Sequence, residues 1–358
     1  MKFTALLYWN FPYVVLKSGI QYQNQLKVFD DFGKRNINLN ANLVTDNDLI
    51  VIIIGESTTR NHMGIYGYRR NTTPKLEELS DSLFIYNNVI SSHVFTTASL
   101  YDAFTITKSN QTTFLIDYIK KAGYKVYWLS NQRPIGFHDN LVSRIASAAN
   151  ESIFLSYNDF RHKTFYDEVL FPMIDEKLLI KEKKVVFVHL IGTHYDYSKR
   201  YPEKFNVFKS KKQDKKNKII DTYDNSILYN DLIVSEIIKK VKLKNEKSAV
   251  LYFSDHGEEV YDVVDYFGHF ADKPTSTMYE IPFLLYKASS FEEPNNFIID
   301  ENRSFMLDDL PESLIHLMGI ESESIDNSKS IFSLDFKNEM RLIDNGLDFE
   351  SFKFKENK

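Results

Sequence analysis

The sequence contains no cysteine in its 358 residues. That excludes disulfides, thiolate metal ligands and a cysteine nucleophile, so any metal must be held by oxygen and imidazole. It also lacks the basic excess of a nucleic-acid binder: the net charge is −5, which gives no case for such a partner. An uninterrupted membrane-length apolar run is missing as well. The N-terminal MKFTALLYWNFPYVVLKSG is apolar-rich but broken by Asn10 and Pro12, and it falls short of the roughly 20 residues that span a bilayer. With no clear small-residue cleavage site, it reads as an interfacial or packing helix, a degenerate signal sequence being the alternative. No internal repeat is evident.

What is present fits a globular α/β protein. The length suits one large domain or two small ones. The aromatic share of 15% suggests a well-filled core and a surface that meets lipid or sugar. After a polar linker, NINLNANLVTDND, the run LIVIII (49–54) has the look of a strand covered on both faces. Similar runs are YKVYWL (124–129), VVFVHL (185–190), AVLYF (249–253) and IPFLLY (281–286). Helical patterns lie between them, among them TTFLIDYIKKAG (112–123), closed by Gly123, and YNDLIVSEIIKKVK (229–242). This alternation predicts a single α/β domain with a mostly parallel central sheet and helices on both faces. The lysine-dense stretch 204–218 reads as a solvated loop, or as a contact for anionic headgroups or phosphorylated sugar. The tail after about Asp335 reads as charged and loosely ordered.

In open parallel sheets ligands gather at the carboxyl ends of the strands. Here those ends carry Glu56 and Ser57, then Ser130, Asn131 and Gln132, then Gly192, Thr193 and His194, then Asp255 and His256. Asp255 and His256 are adjacent and would face opposite ways within a strand. Just past its end both can turn to one ion, with Gly257 freeing the backbone. A carboxylate with an imidazole suits Zn²⁺, and Mn²⁺ less well. His194 and His269 can add ligands or hydrogen bonds, or be structural histidines. Glu258 and Glu259 read as supporting or solvent-facing. The amphipathic helix pattern in 91–107 places Thr96 or Thr97 at its start. There a Thr is a cap, or a hydroxyl beside free backbone N–H groups that favour a phosphate. A metal would make such a hydroxyl nucleophilic and stabilise charge during in-line displacement.

Seven stretches then carry a family likeness: GESTTRNHMGIYGYRRNTTP (55–74), SSHVFTTASL (91–100), GYKVYWLSNQ (123–132), HLIGTHYDYSKRYP (189–202), YDNSILYND (223–231), VLYFSDHGEEVYD (250–262) and YEIPFLLY (279–286). Across roughly 49–320 the chain resembles the catalytic domain of the bacterial lipopolysaccharide phosphoethanolamine transferases, of the alkaline phosphatase/sulfatase superfamily. The wording is closest to the branch that modifies a core heptose. The resemblance implies Glu56, Thr96, Asp255 and His256 as ligands of one tightly bound Zn²⁺, with room for a second. It implies Thr96 as the nucleophile that becomes phosphorylated. His194 and His269 would bind the phosphoryl group and assist proton transfer, and Asn131 and Gln132 would contact the headgroup. The donor would be phosphatidylethanolamine. The acceptor would be the lipopolysaccharide core or lipid A, at the periplasmic face of the inner membrane, with a monomeric protein at the membrane surface.

The same reading expects three parts: an N-terminal stub and linker (1–45) left from a membrane-anchoring region, a catalytic domain (46–340) and a charged tail (341–358). Family members carry transmembrane helices before this domain, so 1–45 suggests a truncated product or one with a separate anchor. Relatives in the lipid A branch staple the domain with disulfides; their absence here fits the core-heptose branch. The alternatives are a phosphatase, phosphodiesterase or glycerol-phosphate transferase on the same fold, or an inactive remnant. A sulfatase is disfavoured, because its formylglycine motif is not found.

Overall fold

In the computed structural model, which describes residues 39–108, 111–133, 141–155, 165–212, 214–244 and 246–356, the run LIVIII forms β1 (Leu49–Gly55) at the middle of a sheet. The other strands are β2 (Leu83–Ile85), β3 (Lys125–Ser130), β4 (Glu151–Phe154), β5 (Lys184–His189), β6 (Ser248–Ser254) and β7 (Phe283–Lys287), in the spatial order β2-β7-β6-β1-β5-β3-β4. From β6 through β4 every pairing is parallel. IPFLLY does supply a strand, but β7 runs antiparallel to β6, and β2 antiparallel to β7.

The period-two alternation of a strand explains why β1 is apolar throughout. Ile50, Ile52 and Ile54 enter one core, with α1 (Thr96–Phe104), α2 (Leu115–Lys121), α3 (Leu141–Ser147) and α6 (Leu310–Leu317). Leu49, Val51 and Ile53 enter the other, under α4 (Phe171–Leu178) and the long α5 (Lys215–Lys244). All six side chains are fully buried. Each contributes about 1.5–3 kcal/mol of transfer free energy, so the strand is anchored from both sides. Gly123, at φ +107, closes α2 in a left-handed turn, a geometry glycine adopts without strain.

Register places the chemistry. Gly55 pairs with Ser254, Ile54 with both Phe253 and His189, and Ser130 with His189. The carboxyl ends of β1, β6, β5 and β3 are therefore level, and the residues just beyond them emerge along one edge.

Four expectations are corrected. The helix expected over 112–123 starts only at Leu115, because Gln111–Phe114 pairs antiparallel with Thr105–Lys108. The helix expected within 91–107 accordingly stops at Phe104, and Ile106 lies in the paired strand. Thr105, Ile106, Thr107, Thr112 and Thr113 are β-branched and favour a strand once cross-strand partners exist. The lysine-rich stretch is not loop to its end: from Lys215 it is the first turn of α5, where lysines are good helix formers.

The tail is ordered through Glu356. Leu342–Ile343 pairs with Leu347–Asp348, and α7 (Phe349–Glu356) follows. Ile343 and Phe349 are buried with Ile90, Val94, Met278, Tyr279 and Met306. A few well-spaced apolar residues thus outweigh the charged composition. In the linker region, Asn42–Leu43 pairs with Ile320–Glu321. The readings of residues 1–38 lie outside the described residues. No helix among the described residues is long and apolar enough to cross a membrane.

Candidate active site

Glu56 follows β1 in a turn that cannot relax. Ser57 adopts φ 54, a left-handed conformation that is costly for a non-glycine residue. It is held there by three contacts: its N–H donates to Asp255 Oδ1 (3.1 Å), its carbonyl accepts from Tyr223 OH (2.8 Å), and the same carbonyl accepts from Thr193 Oγ1 (2.8 Å). Gly192 sits behind it at φ +52, where a Cβ would approach the Glu56 backbone N and O to 2.9 Å. The glycine after β5 therefore permits the turn after β1.

β6 delivers Asp255 and His256, both fully buried. His256 Nδ1 lies 2.8 Å from the Gly257 carbonyl; a carbonyl only accepts, so Nδ1 donates. The lone pair of neutral imidazole then resides on Nε2. Nε2 lies 3.3 Å from Glu56 Oε1, 3.6 Å from Asp255 Oδ2 and 3.5 Å from Thr96 Oγ1. Thr96 is the first residue of α1, with Phe95 as its cap, and its hydroxyl donates to Glu56 Oε2 at 3.0 Å. Asp255 Oδ2 is buried without a hydrogen-bond partner among the described residues. Such an orphan is uncommon, and here it faces an imidazole nitrogen beside a second carboxylate and a hydroxyl. An O/N donor set of this kind fits one divalent cation of the zinc type.

The charges tell the same story. Burial opposes a charged His256, but Asp255 and Glu56 outweigh it and raise the imidazole to about 10. Burial, reinforced by the Glu56 charge, pushes Asp255 up to about 7. Burial pushes Glu56 the same way, yet the hydrogen bond and charge of His256, with the charge of His194, hold it well below the usual carboxylate range. Two buried carboxylates share one cationic partner, a deficit that a metal ion would remove.

Glu56, Phe95, Thr96, Gln132, His194 and His269 border a cavity of about 270 Å³. Gln132 Nε2 donates to Glu56 Oε2 (3.1 Å) and to the Leu190 carbonyl (3.0 Å). His269 Nδ1 lies 2.6 Å from Glu258 Oε2, and its ring packs against those of Phe95 and His256. His256, Glu258 and His269 form a second group with metal-ligand spacing.

One expectation changes here, and one alternative is removed. Asn131 is not turned to the cavity: its amide donates to the Phe165 carbonyl (2.9 Å) and to Asp167 Oδ1 (2.8 Å). Asp167 also accepts from the N–H groups of Ile191 and Gly192, so Asn131 braces the loop that carries His194. Neither Glu258 nor Glu259 faces solvent; both are fully buried. Glu258 bonds His269 and the Tyr197 hydroxyl, while Glu259 accepts from Thr275 and Thr277 at 2.8 Å each.

The sequence reading missed six residues that line the cavity: Phe95, Arg133, Val142, Ser143, Phe154 and His189. His189 had a signal, since it ends β5 on the edge where ligands gather. It is buried, and burial lowers its imidazole to about 4, which keeps it neutral. Its Nε2 has no hydrogen-bond partner among the described residues.

The parallel part of the sheet thus brings a helix-start hydroxyl and a carboxylate/imidazole cluster to one edge. The chain belongs to the sulfatase family, whose profile matches residues 48–320. It is 31% identical over 361 residues to phosphoethanolamine transferase EptC of Escherichia coli, covering 93% of this chain and 63% of that protein. Against phosphoethanolamine transferase CptA of Salmonella typhimurium the identity is 33% over 318 residues, covering 83% and 55%. The chain therefore spans less than two thirds of the length of these curated relatives. Among solved structures, the C-terminal periplasmic domain of E. coli EptC in complex with Zn superposes with a TM-score of 0.83 at 30% identity, covering 89% of this chain and 99% of that one. The soluble domain of lipooligosaccharide phosphoethanolamine transferase A of Neisseria meningitidis gives 0.70 at 23% identity, covering 83% and 96%, and shares the fold.

Proposed function

We propose that this chain transfers phosphoethanolamine from phosphatidylethanolamine to lipopolysaccharide, through a phosphorylated Thr96. The observation that carries this reading is the Thr96 hydroxyl, 3.0 Å from Glu56 Oε2 and 3.5 Å from His256 Nε2, at the start of α1 and on the cavity wall. Glu56, Thr96, Asp255 and His256 would hold one zinc ion, as the orphaned Asp255 oxygen supports. Bound there, the ion would acidify a hydroxyl and offset negative charge on a phosphoryl oxygen.

The residues of the chain divide the remaining work. Thr96 Oγ forms a bond to phosphorus while the bond to the diacylglycerol oxygen breaks. The hydroxyl proton is lost to solvent in the cavity as the bond to phosphorus forms, while Glu56, held well below the usual carboxylate range, stays ionised and orients the hydroxyl through Oε2. The departing alkoxide takes a proton from His194 or His269. The acceptor oxygen then attacks the phosphorus and its proton goes to the same histidine; the bond from phosphorus to Thr96 Oγ breaks, and Oγ regains a proton from solvent in the cavity. Glu258 orients His269. Gln132 orients Glu56 and contributes an amide to the headgroup end of the cavity.

The family resemblance supports a core heptose as the acceptor, with lipid A as the alternative, and a site of action at the periplasmic face of the inner membrane. The catalytic unit is the domain 46–340, acting as a monomer, with 341–356 packed against it. Mass spectrometry of lipopolysaccharide from cells with and without the gene tests the reading. A gene-dependent phosphoethanolamine on the core supports it; identical lipopolysaccharide from both contradicts it.

A further inference from the structure

The segment expected to be a loose tail holds the loop that leads into Thr96. Asp344 Oδ1 lies 2.5 Å from His93 Nδ1, and Asp102 Oδ2 lies 2.9 Å from His93 Nε2. Both partners are carboxylates and only accept, so both ring nitrogens donate and His93 is an imidazolium. Asp102 belongs to α1, while Asp344 belongs to the C-terminal segment. Asp344 Oδ2 also accepts from the Val94 N–H (3.3 Å) and the Tyr279 hydroxyl (3.2 Å). His93 thus ties the chain three residues before Thr96 to the body of the nucleophile helix on one side and to the C-terminal segment on the other.

The same segment reaches the other half of the site. Glu356, near the end of α7, accepts from the Ser276 N–H with both oxygens at 3.0 Å. Two residues on, the Met278 carbonyl accepts from the Gly257 N–H at 2.7 Å, directly behind His256. Arg341, itself buried, anchors the segment with bonds to the Asn88 carbonyl and side chain, 2.9 Å each.

We propose that residues 341–356 are a clasp on the active site, in which Asp344 and His93 act as positioning residues that set where the Thr96 hydroxyl sits relative to Glu56 and His256. The clasp rests on the reading of Thr96 as the nucleophile. It adds that the nucleophile's position is fixed from outside the sheet, by a segment more than 240 residues further along the chain. A polarised Asp–His–Asp bridge is rigid, and small misplacements of a reacting atom are costly, on the order of 100-fold in rate for about 1 Å.

The test uses the full chain, with three measurements on Asp344→Ala and His93→Gln: kcat and KM for phosphoethanolamine transfer, bound zinc, and hydrogen exchange of the amides in 92–99. The clasp predicts kcat down on the order of 10- to 100-fold, with KM changed by less than about twofold, zinc retained and exchange in 92–99 accelerated. If Asp344→Ala does not fold, His93→Gln carries the same expectation, because it leaves the packing of Ile343 and Phe349 intact. Asp344→Glu, which keeps the carboxylate, should recover part of the rate. Wild-type kcat and unchanged exchange in both variants would overturn the proposal. A wild-type chain without transferase activity, but with exchange that depends on Asp344, would keep the clasp and discard the phosphoethanolamine reading.

Discussion

His269 Nδ1 lies 2.6 Å from Glu258 Oε2, and Glu258 is fully buried behind it. A carboxylate only accepts, so Nδ1 carries a proton and the Nε2 side of the ring is left for chemistry. Glu258→Gln can present an amide N–H to Nδ1 instead and favour the wrong tautomer. We expect kcat to fall by roughly 10- to 100-fold, the usual scale for a partner that orients a functional histidine. Zinc at the proposed site of Glu56, Thr96, Asp255 and His256 should remain. Steady-state kinetics with metal analysis on the same preparation decides; an unchanged kcat would remove His269 from the mechanism.

Gly192 is the residue at which fold and site are most tightly coupled. Gly192→Ala puts a side chain at φ +52 and a Cβ 2.9 Å from the Glu56 backbone. The left-handed conformation alone costs about 1–2 kcal/mol. Thermal unfolding should show a lower midpoint, and the displaced Glu56 should weaken zinc retention on dialysis. A variant with wild-type stability and zinc content would show that the turn has slack the contacts do not reveal.

Metal removal has its own signature. Ligand binding to the folded state stabilises by about 2.7 kcal/mol when free metal is at 100 times the dissociation constant. Chelation should therefore lower the unfolding midpoint of the wild type, and readdition of zinc should restore it. Asp255→Ala should bind no zinc and should not respond to either treatment. Equal responses in the two proteins would exclude Asp255 as a ligand.

Away from the site, His62 governs a pH dependence. Its Nδ1 lies 2.5 Å from Asp224 Oδ1 and its Nε2 3.2 Å from Asp262. Burial opposes its charge, but the hydrogen bonds to Asp224 and Asp262 prevail and raise the group from 6.5 to about 9. A raised folded-state value means that the stabilisation is full below about pH 6.5 and is lost as pH climbs through about 9. Denaturant midpoints at about pH 6 and about pH 9.5 should differ in the wild type, and less so in His62→Gln. The variant keeps a residual slope, because His93, raised against burial by its bonds to Asp102 and Asp344, is also at about 9. A slope unaltered by the substitution would assign the pH dependence elsewhere.

The five inner strands were legible because they are covered on both faces and so read as unbroken apolar runs; the partly exposed edge strands β2 and β4 were not. The ends of β1, β6 and β5 were legible for a related reason: only there do Glu56, Asp255, His256 and His194 interrupt such runs. What stayed hidden depends on partners distant in sequence. Nothing local says that Glu258 meets His269, that Glu259 is capped by Thr275 and Thr277, or that Asn131 turns to Asp167. The pairing of 105–108 with 111–114 was masked because its threonines and Ile106 also satisfy a helical spacing. The C-terminal segment was masked by charge, although Asp344, Arg341 and Glu356 spend that charge on buried contacts rather than on solvent.

The central claim is that Thr96 is the group that carries the phosphoethanolamine. Incubation of the zinc-loaded protein with phosphatidylethanolamine, followed by digestion and mass spectrometry, tests it most directly. The account predicts a peptide containing Thr96 heavier by one phosphoethanolamine group, with fragmentation locating the addition at Thr96, and no such peptide in Thr96→Ala. Turnover of the donor with Thr96 unmodified, or undiminished transfer by Thr96→Ala, would contradict it.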